Sequence, residues 1–467
     1  MVLLSNPPKD GATFFNDVWG WEDGAGNEYA AIGTNTNIRI YNVTDSRNPV
    51  KLYDKAGGNS TTWRDFKTYR NYLYAVCDNC SEGLEIIPLD SLPQQVLRAD
   101  KSKFLRAHNI YIDTAHARLY AVGARYIPNN SNLGVIIYDI SNPAVPQFIS
   151  RFDDGKYVHD IYVKNHIGIA SSGNSGTYVY DFTNASTPVS LMGSEIPLSV
   201  YHHSSWQHPD SPYIYSANEV PLGIPMQIYQ IKNGSLVNAG SFNEPLISGA
   251  SNNVPHNPYV HEEKLFISYY EDGVQVYDVS KPKAPTKIAY YDTHANVAYN
   301  GYYGCWGVFP FLKSGTILAS DMSKGLMILG LDISAKANDI LYLSEPGAGF
   351  CVRSKTNMYK IAVDNSGNIT QQVLAQVPDA TLIHNANIKA DQMVLTAPSG
   401  GLYEVKFDTL SNQMVATSLP ALPSGNVITI DKSLYFDDIY TGPVFQTGPR
   451  RHRLRVVNGA QSFLKME

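Results

Sequence analysis

The sequence predicts an all-β fold, a seven-bladed β-propeller of four-stranded blades with an appended C-terminal β-rich region. Three observations predict it. One strand phrase returns at blade-sized intervals, three further phrases return in fixed order around it, and helical periodicity is nearly absent.

The leading phrase is an apolar strand ending in a Tyr-Asp-like pair, then a turn and often a proline. It reads Ile137-Tyr138-Asp139-Ile140-Ser141, Val179-Tyr180-Asp181-Phe182-Thr183 and Val276-Tyr277-Asp278-Val279-Ser280. Looser copies surround Tyr41, Ile87, Tyr229 and Leu329, and successive copies lie 46, 51, 42, 49, 48 and 52 residues apart. Upstream of the copies stands a second phrase, as in Leu73-Tyr74-Ala75-Val76 and Leu119-Tyr120-Ala121-Val122. Further upstream a polar pair opens a short strand, and downstream a fourth strand follows, such as Gln147-Phe148-Ile149-Ser150. Four short strands split by Gly, Pro and Asn turns cannot bury both faces alone, and radial stacking of such units buries them.

Bulk properties agree with this and exclude some functions. The 32 tyrosines favour strands. A net charge of −6 gives no general attraction for nucleic acid or anionic membranes. No apolar stretch is long enough for a membrane span, and Val2-Leu3-Leu4 is too short for a signal-peptide core. Cys77 and Cys80 form a CxxC after a strand-like run, a context that argues against a thioredoxin-type site. A local disulfide, free thiols, and metal or redox chemistry remain open for them.

The Val-Tyr-Asp-Val-Ser phrase with its proline resembles the LVIVD repeat. With Asn16-Asp17-Val18-Trp19-Gly20-Trp21, Thr62-Trp63-Arg64-Asp65, Ala107-His108-Asn109-Ile110 and Trp306-Gly307-Val308-Phe309-Pro310-Phe311, residues 13–333 resemble the choice-of-anchor B extracellular propellers. The resemblance implies a secreted or surface-displayed protein with a variable C-terminal region, and it implies no established reaction. The propeller is therefore expected over 1–345. A C-terminal β-rich domain, or additional blades, is expected over 346–467. There His384-Asn385-Ala386 echoes the polar pair, and the run Arg450, Arg451, His452, Arg453, Arg455 reads as a solvated tail.

The polar pairs carry the functional information. Their second members Asp17, Asp65, Asn109, Asp160, Ser204, Asn257 and Gly307 are 44 to 53 residues apart and should open the innermost strands around one mouth of the channel. Four consecutive blades put histidine first: His108, His159, His203 and His256, with His202 as the alternative to His203. Imidazoles converging on an axis suit a transition metal such as zinc, iron or copper, and Asp17, Asp65 and Asp160 are expected to orient the rings. The same histidines can instead be polar packing that the repeat duplicated. His116, His166, His208, His261 and His294 are expected in exposed turns.

Two functional readings follow. One is an extracellular module that binds a protein or glycan through its loops, with the metal site at its axis. The other is a metal-dependent enzyme, a lyase or oxygenase, for which His108, His159, Tyr201 and Arg64 are the catalytic candidates. Tyr162, Tyr259, Tyr303 and Arg125 are further candidates for the mouth.

Overall fold

The computed structural model describes residues 1–467 except 91, 93–97, 194–199, 248–249, 295–300, 332, 335–338, 354–356, 376–380, 384–387, 390–391, 409–410, 412, 424–425, 431–433, 437–441, 448–449, 458–459 and 467. No helix occurs among the described residues, and the chain divides into two compact units.

The first unit comprises Leu3–Leu312 and Ile317–Leu329. It contains seven four-stranded sheets, the blades. Blades 1 to 6 each use four consecutive strands, starting from inner strands Phe15–Glu22, Arg64–Tyr69, Asn109–Asp113, Asp160–Lys164, Tyr201–Gln207 and Asn257–His261. Blade 7 starts at Cys305–Phe309 and takes its outermost strand, Val2–Ser5, from the N-terminus. Each inner strand contacts the next, and the seventh contacts the first, so the ring closes. All seven polar-pair positions lie on these inner strands.

Apolar layers between blades hold the ring together. Tyr74, Val76 and Ile86 of blade 2 pack on Ile110, Leu119 and Ile136 of blade 3, and equivalent residues join blades 3 and 4. Each such fully buried side chain contributes about 1.5–3 kcal/mol.

The repeated phrases now acquire physical reasons. The fourth strand is bulged opposite Tyr41, Tyr138, Tyr180, Tyr229 and Tyr277, where Leu52, Ile149, Leu191, Ala239 and Ile288 are the extra residues. The aspartate after the tyrosine caps the turn, accepting the amides of Ser141, Thr183 and Ser280 at 2.8 Å. The proline's carbonyl receives a hydroxyl from the preceding blade. Tyr74 donates to Pro143 at 2.7 Å and Tyr215 to Pro282 at 3.1 Å.

The second unit comprises Met1–Val2, Lys313–Thr316 and Gly330–Glu467. It has three five-stranded sheets, each built on a meander of three consecutive antiparallel strands: Gly349–Arg353, Met358–Val363 and Ile369–Leu374; Gln392–Thr396, Leu402–Asp408 and Gln413–Leu419; and Pro443–Thr447, Arg450–Val457 and Ala460–Met466. Two short strands from the other two segments extend each meander in parallel. The arrangement is threefold, with strands exchanged among segments, and these sheets are not further blades. Phe350, Ile361, Leu395, Val405, Phe445 and Leu454 fill its core.

Two expectations change here. The division falls at Leu329 rather than 345, because Ile333–Ser334 and Asp339–Leu343 pair with C-terminal strands. The basic run is no tail: Arg450–Val457 is a paired strand, and Arg453 and Leu454 are buried. His384-Asn385-Ala386 lies outside the described residues.

Candidate metal centre at the propeller mouth

Each candidate histidine sits just before or at the start of an inner strand, where the backbone turns toward the axis. The amides of His108, His159 and His256 donate to Val122, Ser171 and Ser268 on the neighbouring second strands at 2.8–3.0 Å, which fixes all three at one height. In blade 5 a register irregularity between His202 and Ser204 aims His203 inward. His202 instead lies against the Thr177 hydroxyl at 2.9 Å. Gly123, with φ +58°, stands where a Cβ would meet the His108 Cβ at 2.5 Å, so the close approach of His108 needs glycine there.

The four rings stand in an arc. Centroids are 4.0 Å apart for His108–His159, 4.5 Å for His159–His203 and 4.3 Å for His203–His256. Every Nδ1 has a partner. His108 faces the Asp78 carboxylate at 3.2 Å, and His159 faces the hydroxyls of Tyr201 at 2.8 Å and Tyr157 at 3.2 Å. The Nδ1–H groups of His203 and His256 donate to the carbonyls of His256 and Trp306. Carbonyl acceptors require the proton on Nδ1, which leaves the Nε2 lone pairs free. The Nε2 of His159 is buried with no hydrogen-bond partner among the described residues.

Burial holds His159, His203 and His256 neutral. It pulls His159 and His256 well below the usual histidine range, with the neighbouring imidazoles adding to the shift. His203 is lowered less, because Glu219 opposes its desolvation. Neutral imidazole is the ligand form. His203, Glu219 and His256 offer ligand atoms that all lie within 4.8 Å of one another. The cavity that the four histidines line is about 20 Å³, room for one water or one ion.

The sequence reading missed the partners. Asp17, Asp65 and Asp160 do not orient the rings. They face one layer deeper, where their carboxylates accept the amides of Phe66, Ile110 and Ile161. Lys67 sits among them, 2.8 Å from Asp65 and 4.4 Å from the Trp19 ring centre. Burial pushes Asp160 up to about 6 and raises Asp17 well above the carboxylate range. The acids near the imidazoles are Asp78 and Glu219, each two residues past a second phrase, Leu73–Val76 or Ile214–Ala217. That shared offset is the signal that marks them.

The enzyme candidates fare unevenly. Tyr201 touches His159, but the Arg64 guanidinium donates to the carbonyls of Thr34, Gly57 and Asn59. Arg125 reaches Asn130, Tyr303 is exposed, and Tyr162 and Tyr259 lie deeper in the channel. His208 is buried, and His116, His166, His261 and His294 are half-buried, so none is the exposed turn residue expected.

Two residues past each polar-pair position the inner strands carry Trp19, Lys67, Tyr111, Tyr162, Trp206, Tyr259 and Phe309. The six aromatic rings among these pack around the axis, with centroids 4.6 Å apart for Tyr162–Trp206 and 4.9 Å for Trp206–Tyr259. Beyond them, at the turn end, a cavity of about 420 Å³ is lined by Trp19, Trp21, Tyr111, Trp206, Phe309 and Phe311.

Compared with known proteins, the chain matches no protein-family model, and no curated sequence is significantly similar. Among solved structures, it is similar to the computationally designed Ika8 protein, with 9% identity, a TM-score of 0.46 and coverage of 70% of this chain and 98% of that one. It is also similar to the β-propeller domain of Myceliophteria thermophila Cps50 (Swd1), with 10% identity, a TM-score of 0.48 and the same coverages.

Proposed function

We propose that this chain is an extracellular binding module of the LVIVD-repeat type. Its propeller holds one transition-metal ion at the histidine mouth and takes a glycan or protein partner at the aromatic mouth. The observation that carries the metal is the arc of four imidazoles, in which His203 and His256 hold their protons on Nδ1 and, with Glu219, offer ligand atoms within 4.8 Å of one another. Two histidines with Glu219 suit zinc or ferrous iron. The 420 Å³ aromatic cavity supports a ligand at the other end, since pockets of this size and lining bind small molecules and side chains. The LVIVD-like repeat and the Cys77–Cys80 disulfide fit an oxidising, extracellular setting.

A lyase is less well supported, because Arg64 is committed to carbonyls and a cavity of about 20 Å³ does not admit a sugar ring. An oxygenase keeps one observation in its favour: three protein ligands at His203, Glu219 and His256 leave coordination positions open.

Elemental analysis of the purified full chain tests the metal. About one zinc or iron per chain is expected, falling at least tenfold in His203→Ala and His256→Ala. No metal in the wild-type chain after supplementation with either ion would overturn the reading. Affinity electrophoresis on acidic and neutral polysaccharides, with Phe311→Ala as the control, tests the glycan partner.

A further inference from the structure

Two more histidines meet at the opposite end of the inner strands. Asp113 ends the inner strand of blade 3, and His116 lies in the turn that follows. His166 is the second residue of the two-residue turn between Lys164 and Ile167 of blade 4. Asn165 and His166 are both left-handed there, with φ of 50° and 66°, as this hairpin type requires. The two turns, fifty residues apart in sequence, bring the imidazole rings to 3.7 Å between centroids.

The chemistry of the contact is unusual for a surface. The His116 Nδ1 lies 2.8 Å from an Asp113 carboxylate oxygen, and that carboxylate is only 5% exposed. The His166 Nδ1 is buried and has no hydrogen-bond partner among the described residues. Leaving such an atom unsatisfied is destabilising. The ligand atoms of Asp113, His116 and His166 all lie within 4.8 Å of one another. Bonds of about 2.0–2.2 Å to one zinc-like ion would engage all three after a small contraction and would satisfy the orphaned nitrogen.

We infer that Asp113, His116 and His166 form a second metal site, bridging blades 3 and 4 and suited to zinc, cobalt or nickel. Three protein ligands leave one tetrahedral position for water. The site does not depend on the histidine mouth. A five-residue strand separates it from His108, roughly 17 Å at the rise of a β-strand. Its role is a clasp between neighbouring blades, which here also meet through side-chain packing and a hydrogen bond of Tyr111 with the Val163 backbone.

The test uses the full chain, stripped with chelator and titrated with Co²⁺ while the visible absorption is followed. His203→Ala/His256→Ala removes the mouth. This variant is expected to retain about one equivalent of bound Co²⁺, displaced by Zn²⁺. Adding His116→Ala, or His166→Asn, which tolerates the left-handed turn, should weaken that binding at least tenfold. The melting temperature measured in chelator should stay within about a degree. Should the mouth variant fold poorly, His116→Ala and His166→Asn are placed singly in the wild-type chain, where each should remove one equivalent. Co²⁺ binding that is insensitive to both substitutions, or no binding outside the mouth, would overturn the site.

Discussion

The same seven strands end in two different chemistries. At one end four imidazoles stand side by side, each with its Nδ1 against a carboxylate, a hydroxyl or a carbonyl. Further along the strands, aromatic rings pack around one lysine. The backbone repeat is common to both ends, so the difference lies in what surrounds each layer. The histidine end borrows partners from second strands and from neighbouring blades, because polar atoms buried there need them. The aromatic end needs almost none, except where Lys67 meets its carboxylates.

That contrast can be broken at its most expensive point. Lys67 and Asp65 are 6% and 8% exposed and 2.8 Å apart. Lys67→Met leaves the carboxylate buried without its cation, and urea denaturation should register a loss of about 3–5 kcal/mol. Asp65→Asn in the same chain should recover part of it. A loss below about 1 kcal/mol would mean that ring packing alone holds this layer.

At the histidine end the expected cost is to metal rather than to fold. Tyr201→Phe and Asp78→Ala each remove an imidazole's Nδ1 partner, and zinc affinity should drop about 10–100-fold. Competition with a chromophoric chelator reads this out. Unchanged affinity would show that the rings are oriented by packing instead.

A pH series sharpens the comparison through Glu85, on the third strand of blade 2. Burial pushes its carboxyl up to about 8, and the charge of Arg64 opposes the shift. A raised folded-state value means the folded chain holds the proton more tightly than the unfolded one. The stabilisation is complete below about 4.3 and is lost as pH rises through 8. Melting temperature should therefore decline from pH 5 to pH 8. Glu85→Gln should flatten the decline and add about 1–2 kcal/mol at pH 8. A slope that survives the substitution would assign it to other groups.

The smallest effect is expected at the exposed turns. Asp278→Ala removes the acceptor for the Ser280 amide and should cost about 0.5–1 kcal/mol, measured by thermal melts. A larger cost would give the repeated aspartate a role beyond its turn.

The blades were legible because each sheet is a run of consecutive strands, so a period in sequence is a period in space. The polar pairs were legible for the same reason, and they led to His108, His159, His203 and His256. What surrounds those rings was not. Asp78 and Glu219 come from the ends of other strands, and Tyr157 from the end of the long strand Gln147–Tyr157. His116 and His166 each look like ordinary turn residues until their blades stand side by side. The C-terminal unit hides its symmetry more thoroughly. Every sheet there mixes strands from three segments and pairs some of them in parallel, so no contiguous stretch spells out a whole sheet.

Blade 7 gives the chain a timetable. Its outermost strand is made before the strands of the other six blades and its other three after them, and Asn6 reaches the Leu326 carbonyl across a separation of 320 residues. Closing so long a loop costs little extra free energy, since each doubling of length adds only about 0.6 kcal/mol. It does fix an order of events on the ribosome. Until Gly325–Gly330 has emerged, Val2–Ser5 has no strand to join, and once that strand has emerged it presents an open edge until the N-terminus arrives. In that interval a second nascent chain can supply the missing strand, so swapped dimers are the misassembly this ring invites.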